Sequence, residues 1–237
     1  MPPTSAVISD TVQFAGDQVT MKAFLAQPAE AVPGGTPGLV ICHEWWGLND
    51  HMKDIARRFA REGYVTLVPD LYVRLGAKVT TDAQEAGRLM SALSSQLVLR
   101  DLNAAVAYLK RQPTVDGLKI AALGFCMGGT LALTLATHNS ELKSCVVFYG
   151  KVPPIETMAY LLCPVLYHYG AKDGWVTSQE VERLRQGLAQ FGKPGEVVTY
   201  PNAQHAFFNE TRPEVYGPDD AAKAWKKTLE FLAACLS

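Results

Sequence analysis

Three side chains in the 237-residue sequence have the types needed for nucleophilic chemistry: Cys126, Asp173 and His205. Cys126 lies in Gly124-Phe125-Cys126-Met127-Gly128-Gly129. Glycines two before and two after it leave room for a strand and a helix to come close. The cysteine side chain then stands at the apex of a sharp turn. A thiol is mostly protonated at neutral pH and needs a base or a lowered pKa. A place at a helix N-terminus favours the thiolate, because the backbone dipoles point their positive end at it. His205 can take the proton and later return it to a leaving group. Asp173 can hold the imidazole in one tautomer and stabilise the imidazolium. The chemistry this set predicts is acyl transfer to Cys126, then hydrolysis of the thioester. The backbone N–H of Met127 and one near Glu44, at Trp45, are the expected oxyanion donors.

The same residues have plainer readings. A cysteine at a glycine-rich turn after a strand is also a common buried, inert thiol. A dinucleotide loop would need glycine at position 126, so that reading fails. Positions 120–140 carry no formal charge, but three glycines and three threonines interrupt them, so a membrane span is rejected. Asp173-Gly174 is a common turn dipeptide. Among the other histidines, His51 and His138 fall on or at the end of expected helices, and His168 lies inside an expected strand. His43 is the rival base.

The elements that must position these residues follow from hydrophobic periodicity. Residues 6–14 and 18–27 read as a hairpin around Ala15-Gly16-Asp17. Residues 28–37, with three prolines and two glycines, read as a loop. Strands are expected at 38–42, 64–69, 120–123, 142–149, 164–169 and 196–200. Helices are expected from Asn49 or Asp50 to Arg61, at 80–93, 96–112 and 177–191, and from Asp219 or Asp220 to the end. Thr177 and Glu180 form a capping box for the fourth of these. The last helix is expected to bury Ala222, Trp225, Leu229 and Leu232. The helix after Cys126 has apolar or small residues on every face, as a buried helix does.

Strands that are continuous apolar runs and alternate with helices predict an α/β fold with a mainly parallel sheet, covered on both faces, and an antiparallel N-terminal hairpin. In such sheets ligands bind beyond the C-terminal ends of the strands. Glu44, Arg74, Cys126, Asp173 and His205 all follow expected strands there.

Composition narrows the class. Hydrophobic residues make up 48% and charged residues 19%, ordinary values for a globular enzyme with one domain over 1–237. A net charge of −1 predicts neither nucleic acid nor an anionic membrane as partner. The five cysteines are odd in number and none is spaced as CxxC. They read as reduced thiols of a cytoplasmic protein, with no disulfide frame and no metal site. The first ten residues lack a basic region followed by an apolar run, so no secretory signal is expected.

The motifs together resemble the dienelactone hydrolase (carboxymethylenebutenolidase) family of the α/β-hydrolase superfamily. They are His43-Glu44-Trp45-Trp46-Gly47-Leu48, Pro69-Asp70-Leu71-Tyr72 with Arg74, the Cys126 turn, Gly170 with Asp173, and His205 with Phe207. The order nucleophile, acid, histidine is that of the superfamily. The resemblance implies a monomeric hydrolase of a small ester or lactone, without cofactor. It implies a Cys126–Asp173–His205 triad, with Glu44 helping to deprotonate Cys126 and Arg74 holding a substrate carboxylate. Tyr149 and Asn209 are further substrate-binding candidates. Where members acting on dienelactone carry a second arginine, four residues after the histidine, this sequence has Asn209. A broad carboxylesterase or thioesterase with the same triad is one alternative, and a non-catalytic ligand-binding member with an inert thiol is another.

Overall fold

The computed structural model describes residues 6–30 and 35–237. The first part of the N-terminal reading and the centre of the loop expected at 28–37 therefore lie outside the described residues. Packing divides the chain into two units, Met1–Ala121 and Ala122–Ser237, and the boundary falls inside the fifth strand.

In the first unit, β1 (Val7–Ala15) and β2 (Thr20–Pro28) form the antiparallel hairpin, in register from Val7 opposite Pro28 to Ala15 opposite Thr20. β2 pairs antiparallel with β4 (Val65–Pro69), and β3 (Thr36–Cys42) pairs parallel with β4. β4 is buried at every position, as a continuous Val-Thr-Leu-Val-Pro run requires. Helix α1 (Asp50–Arg61) starts at Asn49, whose side-chain oxygen accepts the Met52 N–H at 3.0 Å. It buries His51, Met52, Ile55, Ala56, Phe59 and Ala60, at the spacing of one helical face. Full burial of Met52, Ile55 and Phe59 contributes roughly 2 kcal/mol each. Glu62 is the C-cap, and Gly63 at φ +92° ends the helix. The helix expected at 80–93 is shorter, α2 (Ala83–Ser91), because the Asp82 side chain caps the Glu85 N–H at 2.7 Å and sets a later start. α3 (Ser95–Lys110) follows, capped by Ser94.

In the second unit, β5 (Val115–Phe125), which begins in the first, runs directly into α4 (Met127–Ala136). β6 (Leu142–Phe148), β7 (Val165–Gly170) and β8 (Gly195–Tyr200) lie side by side and parallel. α5 (Ser178–Gln190) has the expected capping box between Thr177 and Glu180. α6 (Pro218–Cys235) closes the chain. The strand order is β1-β2-β4-β3-β5-β6-β7-β8, which with the antiparallel N-terminal strands is the α/β architecture expected.

α6 departs from expectation in two ways. Neither Asp219 nor Asp220 caps it. Gly217 is the N-cap and Pro218 the first helical residue, so both aspartates sit in the first turn, where they complement the helix dipole. The buried line is Ala221, Ala224, Thr228 and Leu232, while Ala222 is exposed and Trp225 and Leu229 are half-buried. A polar residue takes the inward position because the Thr228 hydroxyl meets buried His168 Nε2 at 3.0 Å. Trp225 stacks at the border on Phe208, 6.2 Å between ring centroids.

Among the described residues no helix is long and apolar enough to cross a membrane, and no group of three His, Cys, Asp or Glu could hold a metal ion. None of the five cysteines is in a disulfide.

Candidate active site

Cys126 has φ +53° and ψ −121°, a backbone conformation that costs a non-glycine residue about 1–3 kcal/mol. The surroundings hold it there. Its N–H donates to Phe148 O at 3.0 Å, and its carbonyl accepts from the N–H groups of Gly129 and Thr130 at 2.9 and 3.2 Å. A methyl group on Gly124 would overlap the Gly128 carbonyl oxygen, so β5 and α4 approach closely enough to require glycine. The cysteine thus stands between strand end and helix start, with Met127 the first residue of the helix.

Asp173 follows β7. Its N–H donates to Gly170 O at 3.0 Å. One carboxylate oxygen accepts the N–H groups of Trp175 and Val176 at 2.7 and 2.8 Å; the other meets His205 Nδ1 at 2.7 Å. The carboxylate is fully buried, and three donors compensate for the water it has lost. Because a carboxylate only accepts, Nδ1 carries the proton and Nε2 is left as the basic nitrogen. The two loops are fastened together. Ala171 N donates to Tyr200 O at 2.9 Å, and Lys172 N to Ala203 O at 2.9 Å. A side chain on Gly170 would strike the carbonyls of Ala203 and Gln204. Beyond His205, Ala206 has φ +61°, and the Phe207 carbonyl accepts the Gly217 N–H at 2.9 Å.

One aromatic cluster lies under both the cysteine turn and the histidine loop. Phe125 stacks on Phe148 at 4.6 Å and meets Phe208 at 5.5 Å and Tyr149 at 6.3 Å. Tyr149, fully buried and at φ +42°, meets the His205 ring at 5.0 Å and Phe207 at 5.5 Å. Trp175 also meets the His205 ring at 5.0 Å, tilted by 73°. Tyr149 is one of the substrate-binding candidates expected from the sequence. Trp175 is not, and the one signal for it is an aromatic two residues past the acid.

The remaining candidates have their own surroundings. Asn209 is buried, and its side-chain oxygen accepts the N–H and hydroxyl of Thr211 at 3.0 and 2.6 Å. Arg212 pairs with Glu214 at 2.8 Å. In the first unit, Glu44 is buried, and its backbone carbonyl accepts from His43 Nδ1 at 2.6 Å and from Gly47 N at 3.2 Å. The Trp45 carbonyl accepts the Tyr72 hydroxyl at 2.9 Å. Arg74 makes a two-pronged pair with Asp101, both bonds 2.8 Å, and donates to the Asp17 carbonyl. Asp101 lies on α3 and is not among the site residues expected from the sequence.

Two of the other histidines are held on both ring nitrogens. His43 Nε2 accepts the Leu71 N–H at 3.1 Å, so both its nitrogens are used, and burial lowers its pKa to about 4. His168 bonds Tyr200 and Thr228, and burial lowers it to about 3. Burial also pushes the thiols of Cys42 and Cys163 up to about 12, which leaves them unreactive.

A mainly parallel sheet, a strained residue between strand and helix, and a carboxylate–imidazole pair beyond the ends of β7 and β8 define an α/β-hydrolase. The comparisons agree. A chain from Klebsiella pneumoniae, provisionally titled a dienelactone hydrolase, superposes with a TM-score of 0.91 at 31% identity, covering 97% of this chain and 99% of its own. The chain belongs to the dienelactone hydrolase family, whose model matches residues 21–236. It is therefore a carboxylic ester hydrolase by family. A Yersinia pestis protein provisionally named a carboxymethylenebutenolidase is 33% identical over 233 residues, 93% of this chain and 85% of that protein. A Bradyrhizobium protein provisionally named a 2-oxo-3-(5-oxofuran-2-ylidene)propanoate lactonase is 31% identical over 240 residues, 97% of this chain and 95% of that protein.

Proposed function

We propose that the protein hydrolyses a small ester or lactone through Cys126, His205 and Asp173. The Cys126 thiolate attacks the carbonyl carbon, and the developing oxyanion is met by the Met127 backbone N–H. His205 Nε2 accepts the thiol proton and delivers it to the departing alkoxide, leaving a thioester on Cys126. Water then attacks the thioester with His205 as base. The acyl group leaves as a carboxylic acid, and the thiol is restored. Asp173 holds Nδ1–H and offsets the positive charge on the ring during both steps.

The observation that carries this reading is the 2.7 Å bond from Asp173 to His205, in the same unit as a cysteine held at φ +53°. The lactone-cleaving names of the Yersinia and Bradyrhizobium relatives support the substrate class. The test is turnover of lactones and aryl esters by wild type and Cys126→Ala. Loss of hydrolysis in the variant is expected, and substantial residual turnover would mean another nucleophile.

A second reading, preference for neutral over acidic esters, is favoured by the cations. Asn209 stands where a carboxylate-gripping arginine is expected, Arg212 is paired with Glu214, and Arg74 with Asp101. The ratio of kcat/KM for dienelactone to that for neutral aryl esters decides between them. The resemblance also assigns Glu44 a part in deprotonating Cys126; Glu44→Gln should then slow alkylation of Cys126 by iodoacetamide at neutral pH.

A further inference from the structure

Trp175 touches both partners of the proposed nucleophile. Its backbone N–H donates to Asp173 at 2.7 Å, and its indole meets the His205 imidazole at 5.0 Å. The ring is itself held. The Lys151 ammonium lies 5.3 Å from its centroid and pairs with Glu180 at 3.3 Å. Glu180 is fixed by the capping box, where the same carboxylate oxygen accepts the Thr177 N–H and hydroxyl at 2.9 and 3.0 Å. At its other end, the Lys151 backbone N–H donates to the Thr130 hydroxyl on α4 at 2.8 Å. A line of contacts thus runs from the first turns of α4 and α5 through a cation and an indole to the imidazole.

This is more than the packing of a hydrophobic residue requires. Trp175 is half-exposed, and Lys151 is 39% exposed in its side chain. An exposed ion pair alone contributes little, but a cation over an indole face fixes that ring's orientation. Asp173 holds the imidazole at Nδ1 only, so its rotation about that bond is checked by the rings packed on it, Tyr149 and Trp175, each at 5.0 Å. A ring packed edge-to-face against the imidazole limits that rotation, and the direction of Nε2 depends on it.

We propose that Trp175, braced by Lys151, is a positioning residue that fixes the plane of the His205 imidazole. The inference rests on the assignment of Cys126, His205 and Asp173. Its function is geometric: Nε2 must point at the thiol in the first step and at the leaving oxygen and the water afterwards. Misplacement by about an ångström costs up to about a hundredfold in rate.

The experiment uses steady-state hydrolysis of a neutral aryl ester by the full chain, with thermal unfolding as the fold check. Trp175→Leu keeps an apolar side chain and the backbone N–H to Asp173 but removes the aromatic edge. It should lower kcat about ten- to a hundredfold, with KM within about twofold of wild type. Trp175→Phe should recover most of the loss. Lys151→Gln should lower kcat about two- to fivefold. Equal kcat values for the Leu and Phe variants, or a Leu variant as fast as wild type, would overturn the positioning role. Cys126→Ala, run alongside, separates the failures. If it is inactive while the Trp175 variants are unimpaired, only the positioning role falls; if it is active, the triad falls and the positioning role with it.

Discussion

The strand ends of the two units carry similar residue types and use them differently. After β3 and β4 stand a histidine, a glutamate and an arginine; after β5, β7 and β8 stand a cysteine, an aspartate and a histidine. In the first unit each cation or base is consumed by local structure. His43 is bonded at both nitrogens, one to the next residue's carbonyl and one to the Leu71 N–H. Arg74 is spent on Asp101 and the Asp17 carbonyl. In the second unit, Asp173 takes only one nitrogen of His205. The backbone differs in the same sense. Positive φ at non-glycine residues occurs in the first unit at Gln18 and Ala77, outside the strands and helices. In the second it occurs at Cys126 itself, at Tyr149, which packs on His205, and at Ala206, which follows it. Strain persists only where the surroundings over-determine it. On the proposed mechanism, what sets the second unit's strand ends apart is a base with one nitrogen in reserve beside a backbone held out of its preferred conformation.

The comparison breaks most sharply at the nucleophile. Cys126→Ala should lower turnover at least about a thousandfold with little change in Tm. Cys126→Ser should stay folded and react poorly, since a site suited to a thiolate need not activate a hydroxyl. Next comes the buried acid. Asp173→Asn, read by kcat at fixed pH, should cost about a thousandfold or more, because the amide no longer enforces the Nδ1–H tautomer.

The third effect is on stability against acid. Burial lowers the pKa values of His43 and His51 to about 4 and that of His168 to about 3, from 6.5. Between those values the unfolded chain binds more protons than the folded one, so stability is full above pH 6.5 and falls as pH drops toward 4. For His43 alone the loss at the low end is roughly 3 kcal/mol. His51 sharpens the point, because neither of its ring nitrogens has a hydrogen-bond partner. A Tm flat from pH 7 to 4.5 would contradict this account. The smallest effect belongs to the first unit. Arg74→Met should cost about 2 kcal/mol in urea unfolding, the loss of hydrogen bonds to a charged group. If it also raises KM for an acidic ester more than for a neutral one, the arginine has a share in binding; if KM is unchanged, its role is structural.

Much of this was legible in the sequence, for definite reasons. Glycines flanking Cys126 fix a tight strand-to-helix crossing, and the apolar runs before Asp173 and His205 place both at strand ends. α1 and the α5 capping box are written in local chemistry. What local chemistry does not contain was missed. Trp175 and Asp101 matter through partners distant in sequence. α6 was placed one position off, because buried His168 draws Thr228 inward, a demand set by another strand. Positive φ at Tyr149 and Ala206 has no residue signature, since neither is glycine, asparagine or aspartate.

The bond from Gly217 to the Phe207 carbonyl ties the start of α6 to the loop that carries His205, and Thr228 ties its middle to β7. Residues 217–228 therefore help to seat the loop that carries His205. A variant truncated before Gly217 should lose that seat and, on the proposed mechanism, the base that activates Cys126.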